Sequence, residues 1–140
     1  MLEACGQVSY SNVAVVEQLF AAFERRDADA MVAQLDPEAV FETASMEIVG
    51  REPYTGHAGM RRYLADLAMT WEEFRVSIHE YRAVGDRVLA LGRVYARARS
   101  PSFIADNEIA FVWRLRDGRI VHGKTVVDPD EAERELRGST

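Results

Sequence analysis

The sequence has little of several features that would define a function class. It has one cysteine, Cys5, so no disulfide can form within the chain and nothing indicates an oxidising compartment. No apolar run approaches the roughly 18 residues that a membrane-spanning helix needs. A glycine-rich phosphate loop, a nucleophile elbow and a Cys-His pair are also missing, so the sequence gives no support to nucleotide use or covalent catalysis.

Basic residues are in the minority. The chain has 17 Lys and Arg against 23 Asp and Glu, a formal net charge of -6. A nucleic-acid surface needs a clustered excess of positive charge, so we expect a small molecule or a protein as partner, and neither nucleic acid nor membrane. His57, His79 and His122 lack the paired spacing of a metal site, and we expect no metal and no cofactor. The first six residues lack the basic and apolar regions of a signal peptide, which predicts a cytoplasmic protein.

Helical periodicity comes first along the chain. Three helices and one strand are predicted there: helices over 12–26, 27–35 and 56–69, and a strand over 39–43. Ser11 or Asn12 would cap the first helix, and Pro37 would stop the second. Residues 44–55 have no clear period and predict a loop with a short edge strand at most.

Two-residue alternation then replaces the helical period. Four strands are predicted, over 75–84, 87–99, 103–116 and 119–127. Their short connections, above all Asp117-Gly118, make them antiparallel neighbours. We therefore predict one α+β domain over residues 1–140, with an ordered core over 12–136. Its three N-terminal helices should pack on one face of a strongly curved, mainly antiparallel sheet, and a short helix should follow at the C-terminal end.

This order resembles the nuclear transport factor 2-like fold, a cone in which a curved sheet wraps three helices around a pocket. Within that group the chain is similar to SnoaL-like polyketide cyclases and ketosteroid isomerase relatives. The resemblance rests on three runs: Phe20-Ala21-Ala22-Phe23, Tyr54-Thr55-Gly56-His57-Ala58-Gly59-Met60 and Val112-Trp113-Arg114-Leu115-Arg116-Asp117-Gly118-Arg119-Ile120-Val121. It implies a pocket for a small hydrophobic or aromatic ligand, and a homodimer formed through the outer face of the sheet.

The resemblance also locates residues by function. The base, tyrosine and aspartic acid of ketosteroid isomerases fall on Thr43, Leu19 and Phe111, none of which can do that chemistry. A shift of one residue would put Glu42 at the base position, and the sequence does not decide whether Glu42 or Thr43 faces the pocket.

A second comparison within the fold concerns limonene-type epoxide hydrolases, which use an Arg-x-Asp pair and a later aspartate. Arg93-Val94-Tyr95 occupies the first motif and Asp128 the second position. The resemblance implies Arg93 as the orienting cation, Tyr95 as a hydrogen-bond donor and Asp128 as the acid or base of cofactor-free chemistry. Asp128 followed by Pro129 and Glu131 is also a helix N-cap, and Arg93 faces the pocket only if the bulky face of its strand does.

Aromatic residues suit an apolar pocket, although each could equally be ordinary core. The candidates for ligand binding are Phe20, Phe41, Thr43, Tyr63, Trp71, Phe111 and Trp113. On the last strand, alternation places Val121, Gly123, Thr125 and Val127 inside and His122 and Lys124 outside. Tyr81, Val94, Val112 and Val126 are candidates for the dimer face. The expected function is small-molecule binding, with either acid-base catalysis or a non-catalytic binding or association role.

Overall fold

The computed structural model describes residues 2–43, 53–99 and 103–138, with side chains from residue 12 onward. In chain order the elements are α1 (Leu2–Glu24), α2 (Ala28–Val32), β1 (Leu35–Glu42), β2 (Tyr54–Thr55), α3 (Gly56–Thr70), β3 (Trp71–Val84), β4 (Arg87–Ala98), β5 (Ile104–Arg116), β6 (Arg119–Val126) and α4 (Pro129–Arg137). This confirms the predicted α+β class and the predicted order, in which two helices, a strand and a third helix precede the four long strands. Most of the predicted loop over 44–55 lies outside the described residues, and its last two residues form β2.

The six strands form one sheet in the order β2-β1-β6-β5-β4-β3. The run from β3 to β6 is an antiparallel meander, as predicted from the short turns. At the last turn Asp117 and Gly118 have φ values of 54° and 77°, the positive pair that the predicted Asp-Gly hairpin requires. β1 joins β6 in parallel and carries β2 on its other edge.

Helix α1 begins ten residues before the predicted cap. Asn12 lies inside the helix and is buried, because Ser and Asn lower helix propensity too little to end a helix. At the other end, the amide of Asp27 donates to the carbonyl of Ala22 and that of Arg26 to the carbonyl of Phe23. This is the Schellman pattern, and Arg26 holds its left-handed position at φ 57°, where glycine is usual.

The next boundary also differs from the prediction. α2 is capped by Asp27, whose carboxylate accepts from the amide of Ala30 at 3.1 Å, but it ends at Val32. Leu35 therefore lies in β1, and the predicted strand starts four residues early. Pro37 lies within β1, where the pairing with β6 changes register between Leu35 and Val40, so the missing N–H interrupts no ladder bond.

The inner face of the sheet and the first three helices enclose the main core, and α4 covers part of the outer face. Val112 and Val126 are buried beneath α4, with Leu89, Ala132 and Leu136. Val94 is buried in the main core. Together with the half-buried Tyr81, these are the four residues expected on an exposed dimer face, and three of them are under 7% exposed. The prediction that these four residues form an exposed dimer face is therefore wrong. The homodimer itself stays a prediction, with no contact residues assigned to it.

The last strand follows the predicted alternation only in its middle. Gly123 and Thr125 face inward and His122 and Lys124 face outward, as expected, and the two outward side chains pair with carboxylates. The pairing of β5 with β6 shifts register between Arg114 and Leu115. As a result Ile120, and not Val121 as expected, faces the core. Val127 lies beyond the end of β6 and is 55% exposed, which corrects its predicted inward position.

Among the described residues, no helix is both long and apolar enough to cross a membrane.

Candidate functional site

A small apolar cavity lies at the centre of the cone. Its volume is about 30 Å³, close to the share of one water molecule in the liquid. α1, α2, α3 and strands β1, β3 and β5 supply its walls: Leu19, Phe20, Phe23, Met31, Phe41, Met60, Tyr63, Val76, Phe111 and Trp113. Side chains therefore fill most of the cone interior.

Four aromatic rings fix the geometry of this cavity. Phe41 and Phe111 stack against Trp113 at centroid distances of 5.5 and 6.0 Å, with interplanar angles of 6° and 10°. Phe20 meets the edges of this stack, 5.1 Å from Phe111 and 5.8 Å from Trp113. A Cβ on Gly123 would overlap the ring of Trp113, so glycine is what lets the stack lie flat on β6.

Two polar groups belong to the cavity walls. The Tyr63 side chain is buried, and burial raises the pKa of its phenol well above the usual value. Tyr63 therefore stays neutral at physiological pH and can donate a hydrogen bond but cannot act as a base. The indole N–H of Trp113 is buried and has no acceptor among the described residues. An acceptor oxygen on a bound molecule would satisfy it, because a buried unpaired donor is costly.

An open groove of about 790 Å³ runs outside the cavity between α1 and β3. It shares the side chains of Phe20, Phe23 and Val76 with the cavity, so these three separate the two spaces. Glu17 and Glu24, two turns apart on α1, lie on its rim. In the described part of the chain neither has an ion pair or a hydrogen bond, so both leave negative charge at the entrance.

Arg26 closes one end of the groove. Its guanidinium donates to the carbonyls of Phe23 and Phe74 and lies 4.2 Å from the centroid of the Phe23 ring. These contacts tie the end of α1 to β3. They also account for an arginine in a left-handed conformation, which costs a non-glycine residue about 1 kcal/mol or more.

The structure does not bring the three expected catalytic residues into the cavity. Arg93 is half exposed on the outer face of β4, where its guanidinium binds Asp106 at 3.0 Å. Tyr95 lies two residues along the same face and packs against Arg75, whose guanidinium carbon is 4.9 Å from the ring centroid. The small residues of β4, not its bulky ones, face the helices, because the rings of α1 and β5 occupy the interior.

Asp128 lies at the start of α4 and is exposed. Its carboxylate accepts a hydrogen bond from the amide of Asp130 at 3.0 Å, and Pro129 follows it as the first helical residue. The helix ends at Gly138 in a left-handed conformation, φ 75°. The helix-cap interpretation of Asp128 is therefore confirmed, and its expected role as an acid or base stays a prediction.

Five of the seven expected ligand-binding residues line the cavity; their role in binding stays a prediction. The five are Phe20, Phe41, Tyr63, Phe111 and Trp113. Trp71 packs elsewhere, against Phe74 and Phe103 at the start of β3. Thr43 is 3% exposed, and its hydroxyl has no partner in the described structure, but it is not part of the cavity wall.

The alternation along β1 turns Glu42 away from the interior and Thr43 towards it, although neither residue lines the cavity. Ala39, Phe41 and Thr43 share the buried side of the strand. The carboxylate of Glu42 points the other way and lies 2.5 Å from Nε2 of His122. With Leu19 and Phe111 both in the cavity wall, none of the positions aligned with the isomerase residues carries a group for that reaction.

Sequence reasoning missed half of the cavity wall. Met31, Met60 and Val76 come from three separate elements, and the period of each element alone does not show that they meet at one cavity. Glu17 and Glu24 were also missed, although their seven-residue spacing on one helix was a readable sign of a shared face.

A curved sheet that encloses an aromatic cavity against three helices defines the nuclear transport factor 2-like class of folds. The model of the SnoaL-like domain family matches residues 16–123, and the chain belongs to that family.

Solved structures show the same fold. An NTF2-like protein of unknown function from Burkholderia pseudomallei has a TM-score of 0.76 and 23% identity, with 90% of this chain and 96% of that chain covered. TerC, co-crystallised with polyporic acid, has a TM-score of 0.74 and 23% identity, with 92% and 99% covered. A Catenulispora acidiphila protein with a ketosteroid isomerase-like fold, in complex with trimethylamine, has a TM-score of 0.71 and 14% identity, with 90% and 93% covered. A comparison with curated proteins found no match.

Proposed function

We propose that this protein binds a small, flat, apolar molecule that enters from the groove between α1 and β3 and displaces Phe20. The observation that carries the proposal is the shared wall: Phe20, Phe23 and Val76 line both the aromatic cavity and the open groove. The groove is within the 300–1,000 Å³ range usual for small-molecule sites, whereas the cavity of about 30 Å³ is far below it. The ligand therefore occupies the groove and inserts one ring inward.

The charges at the entrance select the ligand further. Within the described residues Glu17 and Glu24 carry unpaired negative charge, Arg26 is engaged with two carbonyls and a ring, and Arg75, which also lines the groove, pairs with Glu73. A neutral or cationic molecule is therefore favoured over a carboxylate. The free indole N–H of Trp113 adds a preference for a ligand with an acceptor oxygen, such as an aryl ketone.

The proposal is for binding without catalysis. Among the side chains of the described cavity wall, Tyr63 is the one that can titrate, and burial keeps its phenol neutral by raising its pKa. Arg93, Tyr95 and Asp128 lie outside the cavity, where Arg93 and Asp128 are held in structural contacts. This favours the non-catalytic alternative over acid-base chemistry at those three residues.

Thermal-shift and fluorescence titrations with three naphthalene derivatives test the proposal. We expect 2-acetylnaphthalene to raise the melting temperature most, naphthalene less, and 2-naphthoate least. In a Trp71→Phe background, quenching of Trp113 should saturate with the same order of affinity. Failure of all three compounds to raise the melting temperature would remove the binding proposal.

A matched pair of charge variants tests the role of the rim. Glu24→Gln should narrow the difference between 2-acetylnaphthalene and 2-naphthoate by a few-fold, the size expected for an exposed charge. Glu38→Gln makes the same charge change at an exposed site away from the groove and should leave the difference unchanged. Equal effects of the two variants would show that net charge, and not the rim, sets the preference.

A further inference from the structure

Three basic residues form a row across the outer face of the sheet. Arg87 on β4 is the register partner of Arg114 on β5, and Arg114 is the partner of His122 on β6. Side chains at paired positions project from the same face, so the three lie side by side. They line a depression of about 220 Å³ with Lys124, Val112, Glu135 and Gly138, at the C-terminal end of α4.

The carboxylates nearby neutralise only part of this charge. His122 pairs with Glu42, and Lys124 pairs with Glu135 at 3.3 Å. Within the described residues, Arg87 and Arg114 have neither an ion pair nor a hydrogen bond. Arg87 lies against Gly138, where a Cβ would overlap its guanidinium. The negative end of the α4 dipole is thus one favourable neighbour of Arg87.

Two unpaired arginines directly opposite each other oppose folding, because like charges at paired positions repel. The chain as a whole has a net charge of -6, so these two arginines are a local excess of positive charge. A contribution to folding stability does not account for them, because they repel each other. Guanidinium groups bind phosphate through two parallel hydrogen bonds, and two of them can hold one phosphate between them. The depression has room for a phosphate and a small attached group.

We propose that Arg87 and Arg114 form a binding site for a phosphate group, either free or carried by a small phosphorylated molecule. The site lies on the face of the sheet opposite the aromatic cavity and does not depend on the proposed function. Phosphate between the arginines would replace their repulsion by charge-assisted hydrogen bonds.

NMR titration of the labelled chain tests this site. Inorganic phosphate and phenyl phosphate are added at constant ionic strength, with sodium chloride as the reference salt. We expect saturable shifts at the Nε–H groups of Arg87 and Arg114 and at the amides beside them. Tighter binding of phenyl phosphate would identify a phosphorylated molecule, and equal binding would identify free phosphate.

Arginine variants distinguish a binding site from a structural cluster. Arg87→Gln and Arg114→Gln should each weaken phosphate binding about tenfold, the loss of a charge-assisted bond. Without phosphate, Arg114→Gln should melt no lower than the original protein, because it removes a repulsion. Arg61→Gln makes the same charge change on α3 and should bind phosphate normally.

Several results would overturn the proposal. Shifts that grow linearly without saturation, or that chloride reproduces, would show general salt screening. Equal weakening by Arg61→Gln would show an effect of net charge. A change of oligomeric state in Arg114→Gln, with no effect of phosphate on either form, would show that this arginine serves contacts between copies.

Discussion

Replacing Phe20 by alanine is the most direct test of how the aromatic cavity is closed. Phe20 is half-buried, so the change removes part of the burial of one ring and two edge contacts with Phe111 and Trp113. Phe→Ala at a fully buried site costs about 3–5 kcal/mol. The partial exposure of Phe20 lowers this to about 2 kcal/mol, and the two ring contacts add about 1 kcal/mol. We expect a loss near 3 kcal/mol in the free energy of unfolding.

The same substitution creates the space that a ligand needs. Loss of the ring adds on the order of 100 Å³ to a cavity of about 30 Å³ and joins it to the groove. A benzene-sized molecule should therefore bind the variant more tightly than the original protein, in which it must first displace Phe20. At a hundred times its dissociation constant it would restore about 2.7 kcal/mol, nearly the whole loss.

Urea unfolding with and without benzene measures both effects. Phe103→Ala is the matched control, since Phe103 is 54% exposed and is not part of the cavity wall. It should lose under about 1 kcal/mol and gain nothing from benzene. The reasoning is refuted if Phe20→Ala is as stable as the control, or if benzene stabilises the original protein and both variants equally.

Three further substitutions have expected outcomes. Asp128→Ala should lose about 1 kcal/mol of unfolding free energy in a urea titration while Asp128→Asn keeps it, because both Asp and Asn cap helices; a large loss in the Asn variant would contradict the cap. Gly123→Ala should push the ring of Trp113 aside, cost about 2 kcal/mol and shift tryptophan emission in a Trp71→Phe background; unchanged emission would contradict the overlap. Burial raises the pKa of Tyr54 from 10.0 to about 12, and the hydrogen bond to a neighbouring carboxylate acts in the same direction. The neutral phenol therefore contributes stability that is complete below pH 10 and is lost as the pH rises through 12. Between pH 8 and pH 11 the original protein should lose about 1.4 kcal/mol more than Tyr54→Phe, and equal losses would contradict the shift.

Local chemistry was enough to predict most of the fold. The Asp117-Gly118 turn requires positive φ at two successive residues, and it fixed the antiparallel pairing of the last two strands. Asp128 and Pro129 marked the start of α4, because a capping carboxylate and a proline at the first helical position both suit a helix N-terminus. Such signals depend on neighbouring residues alone, so they survive in the folded chain.

The site was less predictable because it depends on packing between distant elements. Which face of β4 looks inward is decided by the volume that rings from α1 and β5 occupy, and this left room only for small residues and placed Arg93 outside. The register shift between Arg114 and Leu115 reversed the expected side of Val121. Neither effect leaves a trace in the period of a single strand.

The parallel pairing of β1 with β6 has a consequence for the order of assembly. Glu42 and His122, which meet across this pair, are 80 residues apart in the chain, whereas the meander from β3 to β6 is built from neighbouring strands. Contacts between distant residues form late because closing a long loop costs more entropy. Phe41 lies on β1 and can stack on Trp113 only once β6 is in place. On a ribosome, the aromatic interior therefore stays open until β6 has been synthesised.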